Sequence, residues 1–294
     1  MPRLQRQLGR LDWFVLAGLI GAAVFLLYRM FFNLNYNWNW GIIPTYLVRY
    51  DDEQQRWVAN ALLEGLVTTI RLSVWGMLLA LALGVILGVM RVATRLAPRL
   101  LSRVYIEFIR NTPALVLVFL FYYFVNDRLL SHFEIDALIR HSPAAVRRVL
   151  TLAAGDPTLI SPFISGAMTI GLFQAAYIAE IVRAGIQSIP AGQWEASRSL
   201  GLPKFLVLRL VILPQAIRVM LPPLAGEFIN TIKYSSIVSI ISIQELTFQG
   251  MQVMASTQAT IEIWITITAM YLVLCLGLSL AVHRLERKYR RTLH

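Results

Sequence analysis

Six long apolar stretches alternate with short polar segments along this chain of 294 residues. A helix that crosses a bilayer needs about 20 predominantly apolar residues, because no backbone polar group can face lipid unpaired. This count predicts six transmembrane helices, at about Trp13 to Phe32, Asn60 to Met90, Val104 to Val125, Pro162 to Gln187, Ala216 to Ile241 and Ile261 to His283. The fold class predicted is an all-α integral membrane protein.

Composition supports the membrane assignment. Hydrophobic residues make up 57% of the chain and charged residues 15%, whereas soluble domains are about 45–50% apolar. The net charge of +11 would also suit nucleic acid. However, the Lys and Arg residues form short clusters beside apolar runs and do not alternate with aromatic residues. This pattern is typical of cytoplasmic loops that face anionic membrane lipid, so lipid and not nucleic acid is the expected partner.

Few residues suggest chemistry. The single cysteine, Cys275, lies inside an apolar run, and the four histidines lie in loops or at span ends without metal-ligand spacing. We therefore predict no disulfide, no metal site and no catalytic residue. The first apolar run has the length of a spanning helix and no small-residue cleavage site follows it, so we expect it to be retained.

The basic residues predict the orientation, since short cytoplasmic flanks retain Lys and Arg. Three basic segments fall on one side of a six-span protein. They are Arg3, Arg6 and Arg10; Arg91, Arg95, Arg99 and Arg103; and Arg284, Arg287, Lys288, Arg290 and Arg291. Both termini are therefore predicted to be cytoplasmic.

Three regions follow from this pattern. Residues 1–59 hold the first span and an outer loop, residues 60–283 a core with the other five spans, and residues 284–294 a basic tail. Residues 126–161 form an outer insertion in the core, with Pro143 and Gly155-Asp156-Pro157 as helix breakers, and we predict a short amphipathic surface helix there. Gly84 and Gly88 have GxxxG spacing, which favours close helix packing.

The segment between the fourth and fifth spans predicts a short helix on the cytoplasmic surface. Pro190 suits the start of a helix and Gly201 the left-handed residue just past its end. Trp194, Leu200 and Phe205 place large apolar groups where water is expected, which favours a docking surface. An ordinary amphipathic connector fits these residues equally well.

The same segment resembles the EAA loop of binding-protein-dependent ABC importer permeases. That family has Glu-Ala-Ala, three residues, Gly, nine residues and then Ile-x-Leu-Pro. This chain has Glu195-Ala196-Ser197, Gly201 and Val211-Ile212-Leu213-Pro214 at the same spacing. Ser197 and Val211 depart from the pattern conservatively.

Further motifs resemble the polar amino acid permeases within that family. They are Gly65-Leu66-Val67-Thr68-Thr69, Phe108-Ile109-Arg110-Asn111-Thr112-Pro113, Ala179 to Ile186, Leu213 to Arg218, Leu221-Pro222-Pro223-Leu224, Lys233 to Ile240 and Gln244-Glu245-Leu246. The family commonly has Asn where Gly226 stands and Thr where Ser235 stands. The resemblance covers about Asn60 to Val282, apart from the outer insertion.

The resemblance implies a five-helix type I importer core with one added N-terminal helix. It also implies a second permease subunit, identical or homologous, two ATPase subunits that bind ATP and Mg, and an extracytoplasmic amino acid binding protein. The EAA loop, residues 189–214, would contact the ATPase through Trp194, Glu195, Ala196, Ser197, Leu200, Gly201, Leu213 and Pro214. This chain lacks the GxxxxGK[ST] pattern of an ATPase, so no cofactor and no enzymatic activity are expected in it.

Polar residues inside the spans are candidates for a substrate pathway, because ionisable groups there are costly. One face of the fourth span carries Gln174, Tyr177 and Glu180. One face of the fifth span carries Asn230, Lys233 and Ser236, and Ser235 adjoins that face. A carboxylate and a cation on these faces would suit a zwitterion. The alternative is that Glu180 and Lys233 pair with each other or with a neighbouring subunit.

Three charged residues lie nearer the cytoplasmic ends of the spans and are interpreted as structural anchors or gate residues: Glu107, Arg110 and Arg183. Pro222 and Pro223 are expected to break the fifth helix near its inner end.

Two other functions remain as alternatives. A secondary transporter or channel would need no ATPase, but it would favour inverted repeats and more helices. A membrane enzyme would need a cluster of His, Asp or Ser within a span, and the sequence has none.

Overall fold

The computed structural model of the protein describes residues 9–32, 36–53, 55–124, 139 and 142–291. The chain forms two compact units, Met1–Trp40 and Gly41–His294. Within the first unit, helix α1 spans Arg10–Phe32. Arg3 and Arg6, used above to predict the orientation, lie outside the described residues, as do residues 126–138, 140 and 141 of the outer insertion.

The second unit begins with a small motif of one helix and two strands. Helix α2, Ile43–Leu47, is followed by an antiparallel hairpin of β1, Val48–Asp51, and β2, Arg56–Ala59. Tyr50 lies opposite Trp57 across the hairpin, and their ring centroids are 5.6 Å apart. Such an aromatic cross-strand pair stabilises a short hairpin. This hairpin was not predicted from the pattern of apolar stretches.

Two long helices form the centre of the fold. Helix α3, Ala61–Arg91, begins at Asn60, whose side chain accepts a hydrogen bond from the Ala61 N–H. Helix α7, Ile160–Gln187, lies beside it, and 17 of its 28 residues are buried. Both helices run in the same direction, since Gly76 faces Ile170, Gly84 faces Ile178 and Gly88 faces Val182.

Glycine makes the close approach of α3 and α7 possible. A β-carbon added at Gly84 would lie 2.6 Å from Ile178 Cγ2, and one at Gly88 would lie 2.6 Å from Val182 Cβ. Real side chains do not sit this close, so these positions exclude any larger residue. The close packing predicted from GxxxG spacing is therefore confirmed, and small residues at such spacing are typical of membrane helix pairs.

The third predicted span is not one straight helix. It consists of α4, Leu96–Arg110, and α5, Ala114–Phe124, which are bent by 117° relative to each other. The prediction of an uninterrupted helix from Val104 to Val125 was therefore wrong. Pro113 explains the break, because proline disfavours helical backbone in the preceding residue and cannot donate the next hydrogen bond.

The described part of the outer insertion contains a short helix, as predicted. Helix α6 spans Ala144–Ala154 and is followed by a 3-10 turn, Pro157–Leu159. The Trp75 indole N–H of α3 donates to the Ala153 carbonyl oxygen at 3.0 Å, which attaches the end of α6 to the core.

The fifth predicted span is longer and less interrupted than expected. After α8, Ala191–Ser199, helix α9 runs without a break from Lys204 to Ile241. Pro222 and Pro223 lie inside its regular segment, Leu213–Ser235, so the prediction that they break the helix was wrong. Proline removes a hydrogen bond, but its fixed φ is itself helical.

The irregular part of α9 lies earlier in the helix. A wider π-helical segment, Val207–Ile212, ends two residues before Pro214. The Pro214 ring would clash with the Leu210 carbonyl in a regular α-helix, and a π-helical segment is one of the known ways to relieve that conflict. The first irregularity therefore falls in the EAA segment and not at the proline pair.

Two helices complete the second unit: α10, Leu246–Thr257, and α11, Thr260–Arg291. Within the described residues, four helices are long and apolar enough to cross a membrane, or five if α4 and α5 count as one span. Helix α1 has 23 residues, and its apolar part is Leu11–Ala22. The all-α membrane fold is confirmed, and the count of six spans stays a prediction.

Glu245 connects three of these helices. Its buried side chain caps α10 by accepting the Phe248 N–H at 2.8 Å. It also accepts hydrogen bonds from the Tyr271 hydroxyl of α11 at 2.7 Å and the Thr69 hydroxyl of α3 at 3.4 Å. Burial raises the pKa of the Glu245 carboxyl from 4.5 to about 6, although these hydrogen bonds act in the opposite direction.

A pH-dependent stability follows from Glu245. Because the folded protein holds this proton more tightly than the unfolded chain, stability should fall by about 2 kcal/mol as pH rises from about 4.5 to about 6. Glu245→Gln should remove that fall, since the amide stays neutral and the hydroxyls of Thr69 and Tyr271 can accept its N–H groups. Thermal unfolding in detergent between pH 4 and pH 8 measures the difference.

The matched control is Glu53→Gln, which removes an exposed carboxylate in the hairpin turn and should leave the pH profile of the wild type intact. If Glu245→Gln and wild type lose stability in parallel over this range, the assignment to Glu245 is wrong.

Candidate functional site

The segment that resembles an EAA loop forms a short surface helix. Helix α8 begins after Pro190 and ends before Leu200. Gly201 follows with φ of +73°, a left-handed backbone conformation that favours glycine. The helix and its glycine stop were both predicted, and both are confirmed.

The side chains of this segment divide into an inward and an outward group. Trp194 is half-buried and packs against the apolar cluster that includes Ile186, Val207 and Ile212. Ser197 is buried, and its hydroxyl donates to the Gln193 carbonyl oxygen at 2.8 Å. Trp194 therefore holds α8 against the rest of the chain, whereas the sequence suggested that Trp194 belongs to the docking face.

The outward group is available to a partner. Leu200 is 79% exposed and Phe205 67% exposed. The other exposed predicted coupling residues are Glu195, Ala196, Gly201 and Pro214, while Leu213 is half-buried. Gln215 donates to the Gln193 side-chain oxygen at 3.2 Å, so the start of regular α9 is tied directly to α8.

A second group of predicted residues meets at the end of α7 nearest to α8. Arg183 donates to Glu180 Oε2 from both Nε and Nη2 at 2.8 Å. Arg91 and Arg110 also face the Glu180 carboxylate, at 3.8 Å and 4.0 Å. Glu107 lies 3.7 Å from Arg91. We call these five residues the inner ion-pair cluster.

The inner ion-pair cluster joins three helices. Arg91 ends α3, Glu107 and Arg110 lie in the last turn of α4, and Glu180 and Arg183 lie in α7. Glu107, Arg110 and Arg183 were predicted as anchors or gate residues, whereas Glu180 was assigned to the substrate pathway. Glu180 is the centre of the cluster and does not pair with Lys233. Arg91 had been considered only as a marker of orientation.

A third group forms a polar seam between α7 and α9. Gln174 is fully buried, and its Nε2 donates to the Thr231 hydroxyl at 2.8 Å. Asn230 donates to Glu227 Oε2 at 3.3 Å. Among the described residues, Gln174 Oε1 has no hydrogen-bond partner, and a buried polar atom without a partner is costly.

Aromatic rings continue this seam. Tyr177 lies 5.2 Å from Phe173, and Phe173 lies 5.3 Å from Tyr234, measured between ring centroids. Tyr177 also lies three residues before Glu180 on α7, about one turn along the helix. The polar seam and the inner ion-pair cluster are therefore neighbours through Tyr177.

Other predicted pathway residues lie apart from the seam. Lys233 is exposed. The Ser235 hydroxyl is buried and donates to the Ile232 carbonyl oxygen at 2.7 Å. The Ser236 hydroxyl donates to the Lys233 carbonyl oxygen, also at 2.7 Å. Both serine hydroxyls thus satisfy their own helix.

Sequence reasoning missed Glu227 and Thr231. Glu227 is the one acidic residue between Leu213 and Ile241. The rule that an ionisable residue inside a span indicates function would have selected it. Thr231 gave no such signal, because its role depends on the position of Gln174 on another helix.

Comparisons with known proteins agree with this architecture. Residues 80–291 match the family described as the binding-protein-dependent transport system inner membrane component. The chain is 34% identical over 229 residues to the glutamine transport system permease protein GlnP of Escherichia coli K12. This alignment covers 78% of this chain and 93% of that relative. The chain is 30% identical over 257 residues to the glutamate/aspartate import permease protein GltJ of the same strain, covering 87% and 97%.

A solved structure described as an amino acid ABC transporter with histidines is also similar. It has a TM-score of 0.62 and 32% identity, and the alignment covers 78% of this chain and 94% of that chain. The resemblance inferred from the EAA loop and its neighbouring motifs is thereby confirmed: this chain belongs to the family of binding-protein-dependent transport system inner membrane components.

Proposed function

We propose that this chain is the permease subunit of an ABC importer that carries polar amino acids across the inner membrane. The observation that carries the proposal is α8, a short exposed helix at the EAA motif that is anchored on the chain by Trp194 and presents Leu200 and Phe205 outward. The names of the similar proteins, which refer to glutamine, to glutamate and aspartate, and to an amino acid transporter, support the substrate class. A gradient-driven transporter without an ATPase is not favoured by this family.

The proposed complex contains a second permease, two ATPase subunits and an extracytoplasmic binding protein. ATP and Mg bind to the ATPase subunits, and both termini of this chain face the cytoplasm. The side of the membrane that carries α8 is then the cytoplasmic side. Closure of the ATPase dimer would press on α8, and the bond between Gln215 and Gln193 would pass that movement to α9.

The proposed substrate pathway follows the polar seam. A free amino acid carries an ammonium and a carboxylate, and Glu227 offers the ammonium a carboxylate that already accepts a bond from Asn230. Gln174 Oε1 is a second acceptor that lacks a partner among the described residues. Lys233 and the hydroxyls of Ser235 and Ser236 are secondary candidates, because the serine hydroxyls are already bonded to their own helix.

The inner ion-pair cluster is proposed as the gate at the cytoplasmic end of this pathway. It joins the ends of α3, α4 and α7 through opposite charges that are partly shielded from water, with the Glu180 side chain only 19% exposed. A gate requires two discrete arrangements, and ion pairs between the ends of different helices break and form when those helices move relative to one another. Tyr177 would separate the gate from the seam.

The glycine stop of α8 tests the coupling role. A β-carbon at Gly201 meets no atom of this chain within 4 Å, so within the chain a substitution there acts through the backbone conformation. Gly201→Val should disfavour the left-handed stop by about 1–2 kcal/mol and reduce ATP-driven uptake in proteoliposomes about tenfold. Gly201→Asn should retain most uptake, because asparagine tolerates this conformation.

The comparison must be made on complexes that contain equal amounts of permease and ATPase. Normal uptake and normal stimulation of ATP hydrolysis by the loaded binding protein in Gly201→Val would contradict the coupling role.

The gate is tested by Glu180→Gln, which leaves three arginines without their shared carboxylate. We expect ATP hydrolysis in the absence of binding protein to rise about tenfold, in line with the cost of removing a hydrogen bond to a charged group. The KM for uptake should not change, because Glu180 does not contact substrate in this proposal. Glu180→Asp, which keeps a carboxylate among the three arginines on a shorter side chain, should retain part of the tight coupling.

Steady-state uptake and ATP hydrolysis by the purified complex measure both quantities. A large change in KM or in amino acid preference with unchanged basal hydrolysis would instead place Glu180 in the substrate site, as the sequence first suggested.

A further inference from the structure

Helix α4 carries two parallel rows of exposed residues with different chemistry. Arg95, Arg99 and Arg103 follow one another at intervals of four residues, which places them on one side of the helix and its N-terminal flank. The neighbouring row consists of Leu96, Leu100 and Val104, whose exposed fractions are 66%, 53% and 60%. Leu101 and Phe108, which are 65% and 49% exposed, widen this apolar row.

The third side of α4 holds it on the protein. Ser102, Ile106 and Ile109 are buried, and the Ser102 hydroxyl donates to the Leu87 carbonyl oxygen at 2.7 Å. Glu107 then reaches Arg91, one turn beyond Leu87 in α3. Helix α4 thus lies along the last turns of α3, with its apolar row and its arginine row both facing away from the core.

The bend to α5 determines how α4 meets the membrane. The two helices differ in direction by 117°. If α5 follows the membrane normal, α4 lies within about 30° of the membrane plane. At about 1.5 Å per residue, its 15 residues extend about 22 Å along the membrane surface.

Charge and exposure together indicate what covers this surface. Arg95, Arg99 and Arg103 form no ion pair with any other residue in the described ranges, whereas Arg91 and Arg110 of the same region are both paired. A row of free guanidinium groups beside a row of apolar side chains matches the boundary between phosphate headgroups and acyl chains. Guanidinium groups also bind phosphate oxygens in pairs of hydrogen bonds.

We propose that α4 is an interfacial helix that binds anionic phospholipid, with the phosphate on Arg99 and Arg103 and the acyl chains on Leu100, Leu101 and Val104. The inference rests on the membrane location of this family and on the proposed cytoplasmic placement of α8. Because Glu107 and Arg110 end the same helix, a lipid bound to α4 would stabilise the position from which they contribute to the inner ion-pair cluster. Lipid headgroup charge would thereby act on the proposed gate.

The first test measures lipid affinity. The complex is delipidated in neutral detergent and titrated with short-chain phosphatidylglycerol or phosphatidylcholine, for wild type and for Arg99→Gln with Arg103→Gln. Since each near-surface cation contributes about fivefold, the double variant should lose about 25-fold in affinity for phosphatidylglycerol and little for phosphatidylcholine. The loss should shrink at high salt.

The matched control is Arg49→Gln with Arg56→Gln, which removes the same charge from two exposed arginines of the β1–β2 hairpin, outside any amphipathic helix. That variant should bind phosphatidylglycerol like wild type. Equal losses in both double variants would mean that lipid binding depends on net charge alone, which would overturn the proposal. Equal affinity of the wild type for phosphatidylglycerol and phosphatidylcholine would also overturn it.

The second test locates the lipid. The chain has one cysteine, so Cys275→Ser allows single spin labels at Leu101→Cys and at Arg103→Cys in lipid nanodiscs. The label at residue 101 should be accessible to oxygen, which concentrates in acyl chains, and the label at residue 103 to a water-soluble nickel chelate. A residue 101 label that neither reagent reaches would mean that protein covers this face, such as a second permease, and would overturn the proposal.

Uptake separates this inference from the proposed function. ATP-driven uptake by the wild-type complex tests the importer, whereas the titration and the spin labels need no transport. Normal uptake with headgroup-independent binding would reject the lipid site alone.

Discussion

The backbones of α3 and α7 lie close together along much of their length, and the rest of the second unit is built around this pair. The contact is possible because α3 presents small residues, Gly76, Ala80, Gly84 and Gly88, at intervals of four. In lipid there is little hydrophobic gain from bringing two apolar helices together, so close van der Waals contact is a main source of association. A single methyl group at Gly84 would meet both Ile178 and the Ala175 carbonyl oxygen.

The parallel arrangement of this pair places the functional groups. Because both helices run in the same direction, Arg91 at the end of α3 and Glu180 and Arg183 near the end of α7 arrive at one end of the molecule. The α8 helix follows α7 directly, and Trp194 packs on an apolar cluster to which α3, α7 and α9 all contribute. The proposed gate and the proposed ATPase contact are therefore carried by one tightly packed pair, while α4 adds Glu107 and Arg110 from the side.

Local sequence signals predicted the elements but not their meeting points. Apolar length located α3, α7, α9 and α11, and Pro190 with Gly201 located α8, because each of these features is decided within a few neighbouring residues. Two predictions about proline were wrong: the third span is bent at Pro113, and the fifth continues as a helix through Pro222 and Pro223. A proline breaks a helix or is accommodated in it according to packing on both sides, which the local sequence does not contain. Likewise, Glu180 shares a face with Gln174, but the arginines that surround it come from α3 and α4 as well as from its own helix.

The packing of α3 on α7 is tested most directly by the thermal unfolding temperature of Gly84→Ala compared with Gly277→Ala. Both variants add the same methyl group to a long helix, but a β-carbon at Gly277 meets no atom within 4 Å. Overpacking costs about 1–3 kcal/mol, so Gly84→Ala should unfold about 2–10 °C below wild type. Gly277→Ala should match or slightly exceed wild type, because alanine is the better helix former. Equal unfolding temperatures for the two variants would contradict the central place of this contact.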